Sequence, residues 1–343
     1  MALTENKNEK LRVAVIGVGG IARNIHLPSL KEIEDVEIVA LCDIIEQRAA
    51  EQAARFSIPR TYTLYKEMLA KEKPDAVVVL VEPSNLFHVT LSCLNEGFHT
   101  FMEKPPGVTS FQTASLARAT KKADRILQVG FNRRFIPLIR RVLEIMREAT
   151  TISQIVGRFM KRGTGAFDKG GLSAFPSDTI HVVDLVRWIA GAEPVKAATV
   201  QIQVNDVVPN AWNSVVRFEN GVAGVIMANY QTGGRTHGFE IHGPGASAFI
   251  NLGFGGQNCD ATILAGKGKT AYSLAAKGAG GYEVQNIDGM ELAGSKAFYR
   301  YYGYQPEIIH FFECVRSGQQ PLTNIDDAVK TFEFVDLLLA NQI

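Results

Sequence analysis

Two short segments hold the residues best suited to chemistry. The apolar run Leu11-Arg12-Val13-Ala14-Val15-Ile16 leads directly into Gly17-Val18-Gly19-Gly20-Ile21-Ala22, and much later the chain reads Glu103-Lys104-Pro105. The first is a G-x-G-x-x-A turn between a buried strand and a helix. Its missing side chains let the backbone approach a pyrophosphate, and the helix N-terminus offers N–H groups and a positive dipole end. A second strand-like run, Val36 to Cys42, ends in Asp43, where a carboxylate accepts hydrogen bonds from ribose hydroxyls and repels a 2′-phosphate. The order of strand, glycine turn, helix, strand and acid points to a dinucleotide, NAD ahead of NADP.

Plainer readings stay open at these positions. Gly17 and Gly19 could be ordinary turn glycines, and Asp43 could cap the helix starting near Ile45. Arg23 and Arg48 keep NADP open, because an arginine near the second strand's end could pair with a 2′-phosphate, although Arg48 reads as a helix-surface residue. Lys104 could lie on the surface, but a lysine followed by two prolines at a strand's C-terminal edge is not a helix-face lysine. That edge is where open α/β sheets bind ligands.

The elements around these segments give the architecture. Up to about residue 129, strands alternate with helices, as in a parallel sheet covered on both faces. Beyond Gly130 the pattern becomes α+β. A helix near Pro137 to Arg147 precedes strands at 152–160, 195–204, 212–218, 222–228, 239–242 and 248–252, with one helix at Asp178 to Ala190 and two more closing the chain. The expected fold is therefore a doubly wound Rossmann domain, residues 1–129, followed by an α+β domain, residues 130–343, with a large, mostly antiparallel sheet. The C-terminal helices have the option of packing back on the first domain.

Composition narrows the function classes. The 343 residues are 46% hydrophobic with a formal net charge of +1, enough for two cores and without the basic stripe that nucleic acid requires. No apolar run reaches membrane-span length. Cys42, Cys93, Cys259 and Cys314 lack zinc spacing and read as small buried hydrophobes in a reducing cytoplasm; no metal site is expected.

In order and spacing, four segments resemble the glucose-fructose oxidoreductase, inositol dehydrogenase and rhizopine catabolism protein family, Gfo/Idh/MocA. They are the turn at Gly17 to Ala22, Gly97 to Pro105, Gly130-Phe131-Asn132-Arg133-Arg134-Phe135, and His181 to Trp188. The resemblance covers nearly the whole chain. It implies an NAD(P)-dependent oxidoreductase that moves a hydride between nicotinamide and a carbon bearing a hydroxyl or carbonyl, on sugars, sugar derivatives or cyclitols. It puts Lys104 beside the nicotinamide and the reacting oxygen, where a desolvated ammonium can share in proton transfer.

The family's D-x-x-x-H pattern implies that an aspartate orients His181, which shuttles the proton of the substrate hydroxyl. Here the sequence departs: Ser177 stands four residues before His181, and the carboxylate is Asp178, three before. Both spacings share a helical face, so Asp178 could still reach His181, while Asp178 or Ser177 could equally cap the helix. Asp184, one turn on, could bond a substrate hydroxyl. Arg133 is placed for substrate or nicotinamide contact, or for a domain-bridging ion pair. Arg187 and Trp188 read as packing or ion-pair residues. A threonine-proline pair common in the family is replaced by Glu82-Pro83-Ser84-Asn85, which leaves cofactor contact to Pro83 and Asn85, with Glu103 and Lys104.

Two other outcomes accompany the dehydrogenase reading: a redox-neutral glycosidase that holds NAD tightly, and a non-catalytic dinucleotide-binding regulator. The second domain's sheet has one face without an obvious helix cover, which predicts a homodimer or homotetramer. Substrate choice is expected in the loops Gly163 to Ser177 and Tyr282 to Tyr304.

Overall fold

A computed structural model describes residues 10–163, 166–167, 172–254, 257–266 and 281–343. The chain divides into two compact units, one comprising the residues up to Asn132 with 298–300 and 304–332, the other comprising 133–297, 301–303 and 333–343.

The first unit is built on six strands: β1 (Leu11–Ile16), β2 (Val36–Cys42), β3 (Thr61–Tyr62), β4 (Ala76–Val79), β5 (His99–Met102) and β6 (Leu127–Val129). They are all parallel, in the order 3-2-1-4-5-6. β1 and β4 are Val-rich and almost wholly buried, the signature of strands covered on both faces. The connections are helical: a wider turn at Ala22–His26 running into α1 (Leu27–Lys31), then α2 (Glu46–Phe56), α3 (Tyr65–Glu72), α4 (Pro83–Asn95) and α5 (Ser110–Ala123). Strand order reverses between β1 and β4, which opens the switch point where such sheets bind ligands. The later part of the chain returns to this unit. The Val129 N–H donates to Thr323 O at 2.9 Å and Thr323 Oγ1 donates to Val129 O at 2.8 Å, so the edge of β6 is covered.

The second unit begins with α6 (Pro137–Ala149) and β7 (Gln154–Arg162), followed by a ribbon, β8 (Ala166–Phe167) and β9 (Leu172–Ser173). Next come α7 (Ile180–Ala190), β10 (Pro194–Ile202), β11 (Ala211–Phe218), β12 (Ala223–Asn229), β13 (Gln231–Gly243), β14 (Ala246–Leu252), β15 (Cys259–Gly266) and β16 (Tyr282–Asp288). The main sheet has eight strands in the order 10-11-12-7-13-14-15-16, antiparallel except for β12 beside β7.

Registered neighbours share a face, so one row of the sheet reads Ser214, Ile226, Gly157, Phe239, Ile250 and Ala261. This row lies under the helices. A Cβ at Gly157 would stand 2.5 Å from Val182 Cγ2, and one at Gly224 3.4 Å from Val186 Cγ1. Two strand glycines thus let α7 settle close to the sheet. The opposite row carries Val215, Val225, Val156, Glu240 and Phe249, with Val215 60% exposed.

The two-layer plan follows the expectation, with differences at element ends. β13 runs from Gln231, eight residues ahead of the anticipated strand start at Phe239, because Gln231 and Thr236 pair with β7 on either side of an irregularity that holds the two glycines. Helical winding before α7 starts at Phe175 instead of Asp178.

Candidate active site

In the first unit the chemistry gathers at the C-terminal edge of the parallel sheet. Gly17 has φ +93°, and a Cβ there would lie 2.7 Å from the Leu80 carbonyl. Only glycine lets the turn pass the end of β4. At Gly19 and Gly20 a Cβ would meet nothing within 4 Å, so the turn is open on the side where a pyrophosphate would need the backbone. Ala22 is fully buried beneath it and Ile21 half-buried.

Asp43 answers both readings of the sequence. Its Oδ2 accepts the Val18 N–H at 2.8 Å and its Oδ1 accepts the Ile45 N–H at 2.9 Å. The carboxylate therefore fixes the glycine turn to the head of α2, and each oxygen keeps acceptor capacity for a ribose hydroxyl. The next residue is apolar, Ile44 at 89% exposure, and Arg48 is exposed on α2. Pro83 occupies the first position of α4 and Asn85 lies exposed in its first turn. The residues fit a dinucleotide: Gly17 to Ala22 would cradle the pyrophosphate and Asp43 would hold the adenosine ribose.

Glu103 and Lys104 follow β5. Glu103 Oε1 is 2.8 Å from His26 Nε2, and Glu103 Oε2 accepts the Lys104 backbone N–H at 3.1 Å. Burial pushes this carboxyl up, yet the hydrogen bond and charge of His26, then the Lys104 ammonium and N–H, outweigh it and hold it below the usual range. Gly130 approaches closely, its Cβ position 3.3 Å from Glu103 Oε2. Glu103 thus sets the backbone from which the half-buried Lys104 side chain departs, ahead of a cis bond to Pro105. His26, fully buried, was invisible as a site residue because its only sequence signal is a histidine among helix-forming apolar residues.

In the second unit a different cluster forms on the helix-covered face of β7. Asp178 Oδ2 accepts from Lys161 Nζ and, at 2.9 Å, from Tyr230 Oη, which is also 3.0 Å from Thr179 Oγ1. Neither Asp178 nor Ser177 caps a helix end. Ser177 Oγ donates to Ser173 O at 2.7 Å, and Asp178 lies inside a turn of wider winding at Phe175–Thr179, held by Lys161 and Tyr230. His181 lies in the first turn of α7, 7% exposed.

Asp184 is engaged otherwise than anticipated. Its two oxygens take Arg134 Nη2 at 2.5 Å and Nε at 2.8 Å, with both side chains closed from solvent. This bidentate pair ties the Asn132–Phe135 turn to α7, where a substrate-facing carboxylate was expected. Arg187 makes the anticipated ion pair, with Glu193 at 2.7 Å and 2.8 Å.

Arg133 is buried as deeply as Arg134. Its Nη2 is 3.3 Å from His237 Nδ1, and its guanidinium carbon lies 4.7 Å from the Phe159 ring centroid. His237 stacks on Phe159 at 4.3 Å and meets Tyr302 Oη at 2.7 Å. Burial first, then Arg133, Arg235 and Lys161, push His237 well below its ordinary value, so it is a neutral ring. Lys161 and His237 had a readable signal. Both occupy inward positions of strands whose other inward residues are apolar, Ile155 and Phe159 on β7 and Phe239 and Ile241 on β13.

All four cysteines are buried thiols, and burial pushes Cys42 and Cys259 up to about 12. Among the described residues no cluster of three metal-ligating side chains occurs and no helix is long and apolar enough to cross a membrane. Of the two loops expected to set specificity, 164–165 and 168–171 lie outside the described residues, while 282–304 forms β16 and short helices.

Residues 11–131 match the oxidoreductase family with an NAD-binding Rossmann fold, and residues 160–249 match the GFO/IDH/MocA C-terminal domain. A myo-inositol 2-dehydrogenase from Thermotoga maritima is 30% identical over 228 residues, 63% of this chain and 67% of that protein. The chain belongs to the Gfo/Idh/MocA oxidoreductase family. It is an NAD-binding oxidoreductase. A scyllo-inositol 2-dehydrogenase (NAD(+)) from Bacillus subtilis is 24% identical across 94% of this oxidoreductase and 92% of its own length. A dehydrogenase from Chromobacterium violaceum shares the fold with a TM-score of 0.85, at 20% identity, covering 97% of this chain and 96% of that one.

Proposed function

We propose that this oxidoreductase interconverts a secondary hydroxyl and a carbonyl on a sugar, sugar derivative or cyclitol. The observation that carries the reading is Lys104, set by the Glu103 and His26 pair at the C-terminal edge of the sheet whose glycine turn is open for a dinucleotide. Bound NAD supplies the hydride acceptor; the protein's own groups handle the proton and the orientation. The Lys104 ammonium hydrogen-bonds the reacting oxygen and stabilises the charge that develops as the hydroxyl proton leaves. His181 takes that proton. Asp178, paired with Lys161 and Tyr230, holds the start of α7 in place and so orients His181, a positioning role that differs from direct contact with substrate. Arg133 binds substrate.

The test is NADH formation across sugars, sugar acids and inositols, wild type beside Lys104→Met. Losing the charge-assisted hydrogen bond that stabilises the reacting oxygen is expected to cost on the order of 100- to 1,000-fold in kcat, with NAD affinity kept. A Lys104→Met enzyme with near wild-type kcat would remove the assignment.

The open face of the eight-stranded sheet fits a second copy of the chain. Val215, Val225 and Val156 form an apolar row across three strands, Glu240 follows on β13, and Phe249 lies beyond it, an apolar face of the kind a partner subunit covers. A dimer or tetramer is expected in sedimentation at micromolar concentration, and Val215→Asp with Phe249→Asp should shift it towards monomer. A wild-type monomer would refute the assembly.

A further inference from the structure

We propose that Arg133 anchors an oxyanion of the substrate, and that the substrate is therefore an acidic sugar derivative, bearing a carboxylate or a phosphate ester, in place of a neutral polyol. This rests on the reading above that Arg133 binds substrate.

The geometry of the guanidinium carries the inference. Arg133 is 2% exposed, its Nε and Nη1 are buried without a hydrogen-bond partner among the described residues, and no described carboxylate pairs with it. What it does touch is uncharged: the face of Phe159 and the neutral ring of His237. A guanidinium stripped of water meets its five donors poorly in such surroundings. Nε with one Nη makes the fork that matches the two oxygens of a carboxylate or phosphate, and such pairs are strongest where water is excluded.

The surroundings add to this. Arg235 sits 3.4 Å over the ring of Phe254, Lys161 lies 4.7 Å from the ring of Phe159, and Tyr302 touches both His237 and Phe254. Burial first, then the charges of Arg133, Arg235 and Lys161, hold His237 neutral, with Asp178 opposing them. Arg133 itself faces no carboxylate among the described residues, a charge that a neutral polyol would leave as it is and an oxyanion would offset.

The experiment uses matched substrates with the full-length protein and NAD: glucose, glucuronate and glucose 6-phosphate, with the galacto and manno series beside them. Wild type, Arg133→Met and Arg133→Lys are each assayed for NADH formation, for NAD affinity, and for binding of the same compounds to the NAD-loaded protein by calorimetry. The expected result is an acidic member favoured over its neutral partner on the order of 100-fold in wild type. That preference should collapse in Arg133→Met, recover partly in Arg133→Lys, and leave NAD affinity unchanged; the carboxylate and phosphate arms tell the two oxyanions apart. Turnover of neutral sugars alone would overturn the anion anchor and leave the dehydrogenase reading standing. Oxyanion binding that depends on Arg133, without turnover, would do the reverse. Weaker NAD binding with an unchanged substrate preference would overturn the proposal by assigning Arg133 to the cofactor, and loss of binding in every arm would overturn it outright.

Discussion

Arg133 and Arg134 are the same residue type, adjacent in sequence and equally buried, at 2% and 1% exposure. Arg134 has both a carboxylate and a bidentate fork, from Asp184. Arg133 has a neutral imidazole, an aromatic face and donors to spare. A buried charge with its counter-ion belongs to the fold, whereas one without it is a cost that a ligand can remove. The difference between scaffold and site lies in the partner, and Asp184 sits fifty residues away along the chain.

The largest expected effect comes from breaking the satisfied half. Arg134→Met strands the Asp184 carboxylate in the interior and should destabilise the fold by about 3–5 kcal/mol. The double variant Arg134→Met with Asp184→Leu should regain much of that loss, since an apolar pair of similar volume often replaces a buried ion pair without cost. Urea unfolding of the three proteins measures it. If the single variant unfolds like wild type, the contrast between the two arginines is empty.

That contrast also marks what the sequence could disclose. The parallel sheet was legible because its cues are local: Val-rich runs, the Gly17 to Ala22 turn, and Asp43 at the end of β2 each announce themselves within a few residues. The second unit's strands were legible by alternation wherever alternation held, and β13 was shortened because Gly233 and Gly234 interrupt it. Site residues fared worse wherever their meaning is a long-range partner. Asp184 looked free to meet a ligand until Arg134 closed on it. Asp178 looked like a helix cap or a partner for His181, and Lys161 and Tyr230, from β7 and the end of β12, engage it in the fold. His26 gave no cue because Glu103, its partner, lies seventy-seven residues on.

The His26 and Glu103 pair extends the comparison to the first unit, where a buried carboxylate has every oxygen satisfied. Burial alone would raise the Glu103 pKa, and the His26 hydrogen bond reverses that. In wild type the folded value therefore lies below the unfolded one. The stability this gives is complete above the ordinary carboxylate range and is lost as pH falls through the depressed value. In His26→Phe burial prevails and the folded value rises, so the charged carboxylate becomes a burden at neutral pH. The variant should lose about 2 kcal/mol at pH 7, with the gap narrowing as pH falls from the variant's raised value to the depressed value of the wild type. Unfolding curves between pH 3 and pH 8 decide it, and a gap that stays constant with pH would mean that lost ring packing against Phe101 and Tyr304 accounts for the change.

The smallest expected effect is the most telling. Arg133→Met should alter stability without ligand by less than about 1 kcal/mol, or even raise it, because methionine fills the site with an apolar stem and removes a charge that no described carboxylate offsets. Thermal unfolding of wild type with an acidic sugar and NAD should then rise above the ligand-free value, and that rise should be missing in the variant. A residue that folding can spare and ligand binding cannot is the mark of a site. If Arg133→Met instead unfolds as readily as Arg134→Met, Arg133 is as structural as its neighbour, and the substrate's charge must be read elsewhere.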